Sequence, residues 1–141
     1  MENIELKKLV TICVTLGEPF TIGKVNGAIM EVTPVTGGRF EGQKLKGQVC
    51  NFGGDWGFLS GEKLNRLNNR FILETDDEEY IAVETNGYLC MSERALNEFY
   101  DRADYDDPDY YFSETVKFAS GSPKYSWLND KITVSKGFLT E

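Results

Sequence analysis

The chain contains no histidine. That absence removes Ser-His-Asp and Cys-His nucleophile systems and His-ligated zinc. Acid–base work is left to carboxylates, tyrosines, lysines or thiols. Cysteine is scarce as well: Cys13, Cys50 and Cys90 form an odd set without CxxC spacing. That pattern fits reduced thiols in the cytoplasm better than a disulfide framework. The first residues, "MENIELKKLV", carry charges where a secretory leader would need an apolar run, and no apolar stretch reaches membrane-spanning length. Basic charge is in deficit, 15 Lys and Arg against 23 Asp and Glu, for a net charge of −8. A nucleic-acid partner needs a basic footprint, so neither nucleic acid nor membrane is expected as a partner.

What is present points to a globular protein. The 141 residues suit one domain, 1–141, and 40% of them are hydrophobic and 13% aromatic. Most segments alternate with period two, the strand signature. In "ELKKLVTICVTL", Leu6, Val10, Ile12, Val14 and Leu16 share one face. The pairs Asn26-Gly27 and Asn86-Gly87 are hairpin signals, because both central residues of a tight turn need positive φ. "NRFILET" and "YIAVET" read as strands joined by "DDEE", and "YYFSETVKFA" and "KITVSKGFL" follow. One segment departs from this pattern. "SERALNEFYDRA" has Ala95, Leu96, Phe99 and Ala103 at helical spacing with Ser92 as N-cap, so one short helix is expected near 92–102.

Many short strands with few edge-blocking prolines favour an all-β fold. The expected form is a closed antiparallel β-barrel, lipocalin- or calycin-like in general shape, able to hold a small ligand.

The blocks "GGRFEGQKLKGQV", "GGDW", "ETDD" and "YYFSETVKFASGSPKYSWLND" leading into "ITVSKG" together resemble a family known as domain of unknown function 3237, or uncharacterised protein family 0311. The resemblance runs from about Gly27 to Gly137. It implies a compact antiparallel β-barrel and no particular activity. Ser113 and Glu114 stand where relatives often have arginine and threonine, Asp130 where a basic residue is common, and Glu78 where a turn glycine is usual.

Three constellations carry the chemistry on offer. In "VCNFGGDWGFL", apolar residues fall at odd positions before the glycines and at even positions after them. One extra residue would restore a single apolar face, so a bulge is expected, with Trp56 lining the interior and Asp55 at the bend. Asp55 is then either a general base at the cavity mouth or an acceptor for backbone N–H groups, and the structural account comes first because Asp so commonly serves turns. In "KYSWLN", Tyr125, Trp127 and Asn129 share a face if extended, giving a ligand platform or ordinary core packing. In "YYFSETVKF", Glu114 lies on the apolar face with Tyr110 and Phe112, while Tyr111 takes the other. Glu114 is a second catalytic candidate, or a partner for Arg39 or a lysine.

The acidic run from Asp101 to Asp109 fails the calcium-loop test, since Asp109 occupies the glycine position and Thr115 the bidentate position. No metal and no cofactor are expected. The expected ligand-binding set is Trp56, Tyr111, Tyr125, Trp127 and Asn129, with a small-molecule ligand as partner and a homo-oligomer left open. Three functions fit: a binding module for a small, partly apolar molecule; an isomerase, dehydratase or cyclase using Asp55 or Glu114 without a cofactor; or an accessory protein with a filled barrel.

Overall fold

A computed structural model describes residues 2–61, 63–91 and 110–140. The expected helix near 92–102 lies outside the described residues. The strands are β1 (Thr11–Leu16), β2 (Phe20–Val25), β3 (Ala28–Glu41), β4 (Lys46–Ser60), β5 (Leu64–Thr75), β6 (Tyr80–Met91), β7 (Tyr110–Ala119) and β8 (Thr133–Lys136). A short 3-10 turn covers Ser126–Asp130.

All strands join one antiparallel sheet in the order β1-β3-β4-β5-β6-β7-β8. β2 and β1 lie in succession along the same edge of the long β3, opposite Ala28–Val32 and Val35–Glu41. Among the described residues β1 and β8 do not pair, so the sheet curls into a half-barrel that stays open. The closed barrel expected from sequence is corrected on this point. The physical reason is β8, which spans only four residues and pairs only with β7. The short strand and the short β1 blunt the two free edges by length rather than by closure.

Period-two patterning places the core. Phe71, Leu73 and Thr75 on β5, Ile81, Val83 and Thr85 on β6, and Val116 and Phe118 on β7 are buried, while Arg70, Ala82, Asn86, Thr115 and Lys117 face out. With Val35, Phe40, Leu45 and Val49 they fill one end of the concave face, and Leu9, Val10, Ile12 and Val14 pack against them. Tyr125 and Leu128 close that end. A smaller group of Met91, Leu89, Tyr110 and Leu139 sits at the other end.

The two Asn-Gly pairs behave differently. Asn26 and Gly27 adopt φ 50° and 86° and form the β2–β3 turn, with Val25 opposite Ala28. Asn86 and Gly87 lie inside β6, pairing with Thr115 and Glu114. There the ladders to β5 and β7 outweigh the local turn preference. At the β5–β6 turn Glu78 has φ 66°, a conformation that glycine takes more readily, which fits the glycine of the resembling sequences.

The bulge in β4 exists, but its size differs from expectation. Val49 pairs with Leu73 and Gly53 with Phe71, so four steps along β4 are matched by two along β5. Two extra residues preserve the alternation that one would have inverted. Asp55 therefore shares the concave face with Val49, and Trp56 turns to the convex face, where it is 39% exposed. The sequence expectation that Trp56 lines the interior is reversed.

Candidate functional site

Register alone builds a polar row across the concave face. Thr33 stands opposite Asp55, Asp55 opposite Asn69, and Asn69 opposite Thr85. Glu114, on β7 opposite Gly87, reaches the end of this row. The Asn69 side-chain amide donates to Thr85 Oγ1 at 3.0 Å and to Glu114 Oε2 at 3.1 Å, and the Thr85 hydroxyl donates to the same Glu114 oxygen at 2.5 Å. Charge-assisted bonds of this kind hold the Glu114 carboxylate in place. They also replace the Arg39 partnership considered from sequence.

Asp55 is held differently. The Asn68 backbone N–H donates to Oδ1 at 2.9 Å. Among the described residues Oδ2 receives no hydrogen bond. Burial on the concave face pushes the carboxyl up to about 6, the Asn68 bond opposes that rise, and the nearby Glu114 charge adds to it. Asp55 borders a cleft of about 140 Å³ whose walls include Ile29, Glu31, Gly57, Leu59 and Asn65. The arrangement can accept and return a proton near neutral pH beside partly apolar walls. Thiol chemistry has less support: burial and the Glu74 charge push Cys50 upward, away from the reactive thiolate.

The structure thus brings the two catalytic candidates, Asp55 and Glu114, onto one face and into one electrostatic neighbourhood. It does not bring the aromatic candidates to them. Tyr125 is 3% exposed in the core and donates its hydroxyl to Asp77 Oδ1 at 2.8 Å. Trp127 packs on the core edge with Lys44 over its ring. Asn129 accepts from the Ser120 N–H and donates to the Ser120 carbonyl, tying the 3-10 turn to the end of β7. The segment is not extended, so the common face expected for Tyr125, Trp127 and Asn129 does not form. Tyr111, on the convex face, is 60% exposed. Sequence reading missed Asn69 and Thr85, whose polar side chains at inward positions of β5 and β6 were the available signal.

No helix among the described residues is long and apolar enough to cross a membrane.

A curled antiparallel half-barrel is the β-barrel-like architecture that the chain shares with its solved neighbours. The chain belongs to the family described as protein of unknown function, DUF3237, whose model matches residues 4–141. A UPF0311 protein of Rhodopseudomonas palustris is 28% identical over 126 residues, covering 89% of this chain and 82% of that one. One of Bradyrhizobium diazoefficiens is 27% identical over 133 residues, covering 94% and 87%. Among solved structures, a beta-barrel like protein from Acinetobacter baumannii matches with a TM-score of 0.76 at 30% identity, covering 96% of this chain and 92% of that one. The conserved protein of unknown function from Rhodopseudomonas palustris matches at 0.88 and 26%, covering 99% and 92%. An enzyme from Penicillium herquei, 16% identical with a TM-score of 0.64 over 96% and 88%, shares the fold.

Proposed function

We propose that the protein binds a small, partly apolar molecule against the concave face and transforms it by acid–base chemistry, as an isomerase, dehydratase or cyclase, with Asp55 as the acid–base group. The observation that carries this reading is Asp55 itself, a half-buried carboxyl pushed up to about 6 with one oxygen open to a cleft. A group poised near the working pH serves both as base and as acid. Ile29 and Leu59 supply the apolar wall. Glu114, fixed by Asn69 and Thr85, is the positioning charge that keeps ionised Asp55 costly. A carrier would use the same cleft without the chemistry, and the raised carboxyl favours the enzyme over the carrier. The free thiols Cys13, Cys50 and Cys90 support a reducing, cytoplasmic setting.

The test is proton exchange. Small enolisable ketones, aromatic and alicyclic, incubated with the protein in D2O should gain deuterium at the α-carbon faster than in buffer. Asp55→Asn should abolish the gain while keeping the fold. Exchange unaffected by Asp55→Asn, or an Asp55 carboxyl that titrates near 4 by carbon-13 NMR, overturns the reading.

A further inference from the structure

Gly57 is a glycine for space rather than for conformation. It is buried inside β4, three residues before its end, and its φ is not among the positive values of the described residues. A glycine inside a strand weakens it, and often marks a place where another molecule approaches the backbone closely. A Cβ built on Gly57 would lie 3.0 Å from Asp55 Oδ2 and 3.4 Å from the Arg66 carbonyl oxygen. The missing side chain therefore opens the cleft wall onto the carboxylate oxygen that the Asn68 N–H leaves free.

Among the described residues the charge lining that opening has one sign. Asp55 and Glu31 line the cleft, and the Glu114 charge reaches Asp55. The arginines of the adjoining strand are engaged elsewhere: Arg66 lies over the Phe58 ring, and Arg70 pairs with Glu84 at 3.1 Å. An anionic group entering here meets repulsion, and among the described residues no cation lines the cleft wall. Ile29, Leu59 and Pro19 offer apolar contact. The volume of about 140 Å³ is close to that of a cavity of roughly 150 Å³ known to take up one benzene ring.

Building on the acid–base reading above, we propose that Gly57 is the specificity-determining position of the cleft, admitting an uncharged single-ring molecule whose hydroxyl donates to Asp55 Oδ2. Larger substrates present such a ring and leave the rest of their body over the open side of the half-barrel.

Phenol is the probe, with benzoate as its anionic counterpart. Titrated into nitrogen-15-labelled protein at pH 7.5, phenol should shift the amides of Asp55, Gly57 and Asn68 saturably, and benzoate should leave them unmoved. Gly57→Ala asks only the flexible end of Asp55 to give by a few tenths of an ångström, and should weaken phenol binding at least tenfold. Ile29→Trp, on another wall at a residue 42% exposed, narrows the cleft without touching the β4 backbone and should do the same. Phenol affinity unchanged in both variants, no saturable phenol shift up to its solubility, or equal binding of benzoate overturns the proposal. Carbon-13 titration of Asp55 in the same samples separates the two readings. A midpoint near 6 without phenol binding sinks the ligand assignment alone, whereas a midpoint near 4 sinks the acid–base reading on which it rests.

Discussion

Asp55 stands directly opposite Asn69 in the register of β4 and β5, and the Asn69 side-chain amide donates to Glu114 at 3.1 Å. One amide thus lies between two carboxylates on the same concave face. Across this face the Glu114 charge adds to the rise of the Asp55 carboxyl. Glu114 is the better solvated by hydrogen bonds, and Asp55 carries the strain.

The first prediction concerns pH. Burial raises the Asp55 carboxyl in the folded protein to about 6 from its ordinary 3.8, so the native state binds more protons than the unfolded chain between those values. Stability therefore falls as pH rises from about 4 to about 6, and the loss is complete above the folded value. The rise corresponds to about 3 kcal/mol as an upper figure. Asp55→Asn keeps an oxygen to accept from the Asn68 N–H and removes the charge. It should flatten that limb of the stability curve and raise stability at pH 7, while removing activity. Urea unfolding of both proteins at pH 4, 5, 6 and 7 checks this. A variant less stable than the wild type at pH 7 contradicts it.

The second prediction concerns the support of Glu114. Thr85→Val keeps the shape but deletes the hydroxyl that both accepts from Asn69 and donates to Glu114. Thr85 is 5% exposed, so water does not readily replace it. The expected loss is about 1.5–3 kcal/mol, the range for a hydrogen bond to a charged group. Thr85→Ser, which restores the hydroxyl, should recover most of it. Equal losses for Val and Ser would place the effect in packing instead.

How much of this was legible in the sequence depends on which interaction decides each feature. Alternation in "NRFILET", "YIAVET" and "YYFSETVKFA" is a local signal, and these segments became β5, β6 and β7, with Phe71, Val83 and Val116 turned inward. Asn26-Gly27 was legible for the same reason. Asn86-Gly87 was not, because pairing on both sides of β6 overrode a turn preference of equal local strength. The two-residue bulge before Gly53 could not be told from a one-residue bulge, since its length is set by β5 rather than by β4 itself. That ambiguity decided which of Asp55 and Trp56 faces inward. Barrel closure likewise depends on edge lengths and curvature that no single segment encodes.

The third prediction tests the latch at the closed end of the core. Asp77 accepts from the Tyr125 hydroxyl at 2.8 Å and from Lys124 Nζ at 2.6 Å. The Lys124 ammonium, with hydrogen bonds from Thr75 and Tyr125, holds the Asp77 carboxyl well below the usual carboxylate range. A depressed carboxyl contributes stability above its unfolded value and loses it progressively as pH falls from that value through its folded one. Tyr125→Phe leaves the buried ring in place and removes one donor, so it should lower the unfolding temperature. Its effect should vanish in an Asp77→Ala background, where the hydroxyl has no carboxylate to serve. Thermal unfolding of the single and double variants at pH 7 measures this, and an equal cost with and without Asp77 would show that the hydroxyl acts without it.

The fourth prediction concerns Gly87, the residue that lets β6 and β7 close around Glu114. A Cβ there would meet the Ser113 carbonyl oxygen at 2.1 Å and the Glu114 Cα at 2.6 Å, both on the backbone of the paired strand. Unlike the flexible carboxylate facing Gly57, this backbone cannot move aside without breaking ladder bonds between the strands. Gly87→Ala should therefore destabilise the protein by about 1–3 kcal/mol, the usual cost of overpacking. The Cβ also approaches Glu114 Cγ at 2.7 Å, so the carboxylate must swing away from Thr85 and Asn69. With Glu114 displaced, its repulsion on Asp55 weakens and the Asp55 titration should move downward from about 6. Carbon-13 titration of the folded variant reads that shift, and an unmoved Asp55 midpoint would show that burial alone sets its proton affinity.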